Sequence, residues 1–254
     1  MLLTLAGAQC PFGCQYCFAA FSQYEKPLTL DDVESSPKPL EGVDVIYPAC
    51  DVDLFATSTP MEVVRRAAAF RLSISISTKA ALSEQRVMEL AEVGRELEDY
   101  GRVLKIGVSI STKHNIRTLE PRTCSYSSRL ENLRLLQRAS VTSCLVLKPI
   151  LSDISLGEYS EIIDDICGLT DTVLIGDEYL DASKPRISLL NVTQRPVNWV
   201  NNTPNWPVST QAQRASCVKA HAKARGLRVY DSDLDLMAAF VKLRRPEPSF
   251  SAVD

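Results

Sequence analysis

The sequence predicts an α/β fold: a parallel sheet curled into a partial (β/α)6 barrel. Three observations carry that prediction. Six strand-like runs follow one another between Leu2 and Gly176. Apolar residues at helical spacing fill most of the stretches between them. The strands begin about thirty residues apart, which is the size of a βαβ unit and implies parallel pairing. Right-handed crossovers then bend the series in one direction. No sequence repeat underlies the rhythm, so the repetition is architectural.

In order, the apolar run Leu2 to Ala8 is the first strand, and a loop bearing Cys10, Cys14 and Cys17 follows it. Phe18 to Leu40 is polar and interrupted by proline, with Asp31 or Asp32 as the candidate helix N-cap. Val43 to Pro48 is a short β-branched strand. After the loop Ala49 to Pro60, residues Met61, Val64, Ala67 and Ala68 mark a helix over Met61 to Phe70. Leu72 to Thr78 is strand-like, and Ser83 to Tyr100 is helical, with Val87, Leu90, Ala91 and Leu97 on one stripe and Gly101 as its stop. Val103 to Ser111 is the fourth strand. An irregular segment leads to a helix near Ser127 to Ala139 carrying Leu130, Leu133 and Leu136. Cys144 to Ile150 reads as a buried strand. Ser155 and Glu158 form a capping box ahead of Tyr159, Ile162, Ile163 and Ile166, and Asp171 to Gly176 is the sixth strand.

Asp181 to Gln211 breaks this rhythm with Pro185, Pro196, Pro204, Pro207 and both tryptophans, Trp199 and Trp206. It reads as a long ordered loop, either a lid over a site or a surface excursion. A helix from Thr210 to Arg225, a short strand at Leu227 to Tyr230 and a helix around Leu234 to Leu243 follow, ahead of a Pro/Ser-rich end. Residues 1–180 are thus expected to form the barrel core, and 181–254 an extension that completes or caps it.

A chain of 254 residues with 45% hydrophobic content can bury a full core. Its net charge of −3 and pI near 5.6 argue against a protein that grips nucleic acid through a broad basic surface. The start lacks a basic secretory n-region, and no apolar run approaches the ~20 residues needed to cross a bilayer. A cytoplasmic location is expected, where thiols stay reduced.

Three of the eight cysteines fall within the eight residues Cys10 to Cys17. Thiolate is the soft ligand that zinc and iron–sulfur clusters prefer. Three ligands are one short of four, and an open position is where a catalytic metal meets substrate or cofactor. A structural zinc protein is the reading of another class, but neither His114 nor His221 stands at finger or ribbon spacing from the loop. Cysteines in disulfides are expected in shorter, secreted chains.

The spacing Cys-x3-Cys-x2-Cys, with Tyr16 before the last cysteine, resembles the signature of the radical S-adenosylmethionine (SAM) superfamily. The resemblance implies a [4Fe–4S] cluster on Cys10, Cys14 and Cys17, with SAM on the fourth iron and an electron donor such as flavodoxin or ferredoxin. Thr78-Lys79, the run Val108 to Thr112 and Leu119-Glu120-Pro121-Arg122 are similar to the branch that includes spore photoproduct lyase and DNA-repair-photolyase-like enzymes. That likeness covers roughly residues 1–178, through short motifs. The Gly-Gly-Glu-Pro-like motif common in the family is absent, and Tyr47 to Asp53 stands in its place.

Barrel active sites lie at the C-terminal ends of the strands, so the site candidates are read from there. The cofactor candidates are Tyr16 in the cysteine loop, Asp51 or Asp53 for the SAM amino group, Lys79 for its carboxylate, Ser109 and Ser111 for the ribose, Lys148 for the adenine side, and Glu120 and Arg122, for which a structural Glu–Arg pair is the alternative. Cys50, in Ala-Cys-x-x-Asp, is comparable to the cysteine that returns hydrogen to product in the lyase; a small apolar role is its alternative. Cys144 and Cys167 read as core residues, and none of the remaining cysteines forms a CxxC pair. The implied activity is reductive cleavage of SAM to a 5′-deoxyadenosyl radical that abstracts hydrogen. Lyase or repair-like action on a nucleic-acid or nucleotide substrate is the first version, and modification of a small metabolite or peptide the second.

Overall fold

The structure, a computed structural model, describes residues 1–5, 8–17, 28–36, 40–176, 178–179, 192–195, 206–209 and 211–244. Strands β1 (Val45–Ile46), β2 (Ser73–Thr78), β3 (Leu104–Ser109), β4 (Thr142–Leu147) and β5 (Thr172–Ile175) pair in chain order, all parallel. Short strands β6 (Glu178–Tyr179), β7 (Val192–Arg195) and β8 (Trp206–Ser209) form a separate antiparallel sheet in the order β6-β8-β7. Strand β9 (Arg228–Tyr230) returns to the main sheet and pairs in parallel with β5, completing six strands. The opening run lies on the far side of β1. Leu2 bridges Tyr47 in parallel, the Leu3 N–H donates to the Tyr47 carbonyl at 2.8 Å, and the Cys50 N–H donates to the Leu3 carbonyl at 2.9 Å.

The helices are α1 (Leu30–Glu34), α2 (Pro60–Ala68), α3 (Glu84–Glu98), α4 (Ile116–Leu119), α5 (Tyr126–Arg138), α6 (Leu156–Ile166), α7 (Ala212–Ala224) and α8 (Asp233–Arg244). Each long helix from α2 to α7 links neighbouring parallel strands, as βαβ units require. None is long and apolar enough to cross a membrane among the described residues.

The two faces of the sheet differ in chemistry, and this difference makes room for a site. Ile74, Ile76, Leu104, Ile106, Val108, Leu145, Leu147, Val173 and Ile175 join the main core with the crossover helices. Alternate residues point to the other face: Ser73, Ser75 and Ser77 on β2, and Lys105, Gly107 and Ser109 on β3. A parallel sheet covered on both faces usually reads apolar throughout, so a polar inner face marks a lumen. Ser77 is exposed although β2 is flanked by β1 and β3. Lower down, α8 fills the same face, with Leu236, Met237 and Phe240 against Val45, Val103, Cys144, Val146 and Leu174.

Lys105 is fully buried in this floor, with its Nζ 2.6 Å from Asp233 at the start of α8. Asp233 also accepts from the Ser75 hydroxyl at 2.8 Å. Gly107 sits above Lys105. A Cβ there would meet Val146 Cγ2 at 2.6 Å and Ser77 Oγ at 2.9 Å. Gly107→Ala is therefore expected to cost about 1–3 kcal/mol through overpacking. For a chain of this length that lowers Tm by about 2–4 °C per kcal/mol, readable by calorimetry.

Several expectations are corrected. The N-cap of α1 is Thr29, with Asp32 completing its capping box, because a threonine ahead of the helix can cap without placing acid inside the cap position. At α6 the Ser155 hydroxyl accepts from the Glu158 N–H, but the Glu158 carboxylate turns to the loop after β3, where it accepts from Thr112 Oγ1 and the Lys113 and His114 N–H groups. The buried stripe of α5 is Arg129, Asn132, Leu133 and Leu136, while Leu130 is only partly buried. Strands β7 and β8 lie within the stretch expected to be a long loop. Pro207 masked them: it stands in the middle strand of its sheet, opposite Gln194, where proline is seldom found. Residues 18–27, Trp199, Pro185, Pro196 and Pro204 lie outside the described residues.

Candidate active site

The site residues singled out in the sequence lie in the segments that follow the C-terminal ends of the parallel strands, except those of the cysteine loop, which follows an opening run joined to the sheet by a single bridge. The cysteine loop follows the opening run; Cys50, Asp51 and Asp53 follow β1; Lys79 follows β2; Ser109 ends β3; Ser111, Glu120 and Arg122 lie between β3 and α5; and Lys148 follows β4. The contacts below join most of them into one set.

The cysteine loop is pinned to the segment after β3. The Gln15 N–H donates to the Leu119 carbonyl at 2.9 Å, and the Tyr16 hydroxyl, buried with its ring, donates to Glu120 Oε1. Burial, then the Glu120 charge, holds the Tyr16 phenol well above its ordinary pKa, so it stays a donor. Gly13, at φ 61°, lets Arg122 lie against the loop, since a Cβ at Gly13 would meet Arg122 Nη2 at 2.6 Å.

Cys10, Cys14 and Cys17 are free, partly buried thiols. Burial pushes the Cys14 thiol up to about 12; Lys79 pulls it down, while Glu120, Cys17 and Cys10 push it up. A thiol held this high needs a metal to draw off its proton, because the ligand form is the thiolate. Among the described residues no three Cys, His, Asp or Glu side chains stand close enough to share a single metal ion. Thiolates suit both zinc and iron–sulfur clusters, and a cluster takes each thiolate on a separate iron. The donor set and its loop fit a cluster.

Around the thiols stand the polar groups of the rim. Lys79 Nζ donates to Ser109 Oγ at 2.8 Å and lies 5.6 Å from the centre of the Tyr16 ring. The Lys79 backbone is held by Asp53, which accepts from the Lys79 N–H at 2.6 Å, from Thr78 Oγ1 at 2.8 Å and from the Phe55 N–H at 3.2 Å. Burial keeps the Asp53 carboxyl above its ordinary value against those hydrogen bonds. Asp51 differs from Asp53. Its Oδ2 accepts from Thr4 Oγ1, but Oδ1 is buried without a hydrogen-bond partner among the described residues. Ser111 donates to the Lys148 carbonyl at 3.2 Å. The Lys148 side chain fills the space over Gly176, where a Cβ would meet its Cδ at 2.7 Å. The Lys148–Pro149 peptide is cis. Cys50 is a half-buried thiol beside Asp51, on the rim by its backbone bond to Leu3.

The partner of Glu120 is Arg129 on α5, not Arg122: Nη1 lies 2.5 Å from Oε2 and both side chains are fully buried. Arg129 escaped the sequence reading. Its signal was a charged residue on the apolar stripe of α5, with Asn132 beside it; Asn132 clamps the loop after β2 through the Leu82 N–H at 2.9 Å and the Ala80 carbonyl at 2.7 Å.

No protein-family model matches the chain, and no curated protein sequence matches it. Solved structures do. Spore photoproduct lyase complexed with dinucleoside spore photoproduct superposes with a TM-score of 0.62 at 14% identity, over 89% of this chain and 75% of that one. A variant of that lyase with bound AdoMet and the same dinucleoside matches with a TM-score of 0.62 at 15% identity, over 88% and 74%. Streptococcus suis SuiB bound to S-adenosylmethionine gives 0.60 at 12% identity, over 91% of this chain and 49% of its own length. The chain has the radical SAM fold. At such identities the likeness is one of fold, and the partial barrel of the radical SAM enzymes is what the parallel sheet and its polar lumen build here.

Proposed function

We propose that the protein is a radical SAM enzyme. The reading rests on one observation: three free cysteines in a single loop lie at the strand-end rim together with Lys79, Ser109, Glu120 and Arg122, above a polar lumen. Cys10, Cys14 and Cys17 would hold a [4Fe–4S] cluster, and bound there with SAM it supplies reductive cleavage to a 5′-deoxyadenosyl radical that takes hydrogen from a substrate. The chain's own groups orient the cofactor. Lys79, whose backbone is held by Asp53 and whose ammonium is held by Ser109, meets the SAM carboxylate. Asp51, with a buried oxygen still lacking a donor, accepts from the SAM amino group, while Asp53 acts through Lys79. Ser109 and Ser111 lie on the ribose side, Arg122 covers the cysteine loop, and Lys148 flanks the adenine side. A flavodoxin or ferredoxin supplies the electron.

The favoured substrate is a nucleic acid or nucleotide, in lyase or repair-like chemistry. Its support is the overlap with structures that carry a dinucleoside spore photoproduct, together with a thiol, Cys50, at the rim. Modification of a small metabolite or peptide is the second version. Anaerobic reconstitution with iron, sulfide, dithionite and SAM tests the class: a brown protein forming 5′-deoxyadenosine is expected, and a colourless zinc protein indifferent to SAM would refute it. Photoproduct-bearing DNA, nucleotides, peptides and small metabolites compared as stimulators of SAM cleavage separate the versions. In whichever substrate assay works, Cys50→Ala is expected to change the product distribution. An unchanged distribution removes Cys50 as hydrogen donor.

A further inference from the structure

Five side chains at the rim close into a ring. Arg129 pairs with Glu120 at 2.5 Å, Glu120 takes the Tyr16 hydroxyl, and the Tyr16 ring lies under Lys79 at 5.6 Å. Lys79 Nζ donates to Ser109 Oγ at 2.8 Å, and the Ser109 carbonyl receives Arg129 Nη1 at 3.1 Å. Arg129 also donates to Thr123 Oγ1 and to the Cys124 carbonyl. Both terminal nitrogens of this fully buried guanidinium are bonded while its Nε has no hydrogen-bond partner among the described residues, so turning it away from Glu120 would strand a charge in the interior.

The ring joins two parts that must register if SAM is to bridge them. Tyr16 belongs to the loop of Cys14 and Cys17, and Lys79 and Ser109 end β2 and β3. We propose that Arg129 is a positioning residue for the cysteine loop: it acts through Glu120 and Tyr16 to hold the cluster thiols in register with Lys79. This rests on the radical SAM reading for its chemistry, but the mechanical tie stands in the cluster-free chain.

Tests must avoid stranding one charge. Tyr16→Phe cuts the tie and leaves the Glu120–Arg129 pair intact. The double variant Glu120→Leu, Arg129→Met removes both charges, an exchange that buried pairs often tolerate. Hydrogen exchange in the full cluster-free chain is expected to show the Gln15 and Cys17 amides opening about tenfold faster in both variants, with the β3 and β4 amides unchanged. After anaerobic reconstitution, both are expected to bind SAM about tenfold more weakly, with an altered SAM-bound EPR spectrum of the reduced cluster. Adding Tyr16→Phe to the double variant is expected to change SAM affinity by less than about twofold, since the tie is already gone.

Wild-type exchange at Gln15 and Cys17 in both variants overturns the proposal. So does an undiminished effect of Tyr16→Phe in the double background, or an unaltered SAM affinity and spectrum. If the wild type takes up no cluster, the radical SAM reading fails, and the exchange data alone decide whether the tie exists.

Discussion

Cys14→Ala is expected to yield a folded chain that takes up no stable [4Fe–4S] cluster and forms no detectable 5′-deoxyadenosine. The thiol is small and only partly buried, so its removal leaves the packing of the loop nearly intact. What it removes is one of the three proposed ligands, and a cluster held by two protein thiolates lacks the ligand set that iron–sulfur sites need. Iron and sulfide content after anaerobic reconstitution, with EPR of the reduced protein, reads the result directly. Cys10→Ala and Cys17→Ala should behave alike, and Cys217→Ala, far along the chain on α7 and exposed, should not. Full cluster content in the Cys14 variant would remove the metal assignment. Because the Cys14 thiol is held near 12 by burial, loading also releases protons, and reconstitution should run faster as the pH is raised.

The second large effect concerns stability. Asp233→Leu leaves Lys105 fully buried without its counter-ion, and breaking a buried pair from one side costs about 3–5 kcal/mol. In the wild type, burial opposes the charge on both partners, yet their attraction prevails: the Asp233 carboxyl lies below its usual range and the Lys105 ammonium above. The depressed carboxylate contributes stability that is present above an unfolded pKa of about 4 and is lost as the pH falls through the folded value. The raised ammonium contributes stability that is complete below about pH 10 and lost above its folded value.

In Asp233→Leu the sign reverses for Lys105. Burial alone now lowers its pKa, the unfolded chain binds the extra proton, and stability rises with pH up to about 10. Urea melts of both proteins from pH 7 to pH 10 test this. A variant within about 1 kcal/mol of the wild type, with no alkaline gain, would show that the pair does not stabilise the fold.

Most of the fold was legible because its helices and strands obey local periods. The strand-like runs Leu72 to Thr78 and Val103 to Ser111 contain β2 and β3, and the strand-end rule then gathered the rim. The rest was hidden where partners are distant or a local signal misleads. Glu120 had a nearby arginine, Arg122, but its buried partner is Arg129, because α5 turns that side chain inward. Glu158 looked like half of a cap, yet its carboxylate holds the loop after β3. Proline density concealed β7 and β8, whose pairing depends on other strands. Nothing local in Lys105 announces Asp233.

That pair has a consequence for biosynthesis. Lys105 and Asp233 are 128 residues apart, so at ~5–20 residues per second the lysine leaves the ribosome about 6–26 s before its counter-charge. During that interval the inner face of the sheet carries an unpaired ammonium and an uncovered apolar floor, and the strands cannot close around them. The inner face must therefore wait for α8 before it is covered, whereas the main core against the crossover helices contains no residue of that helix.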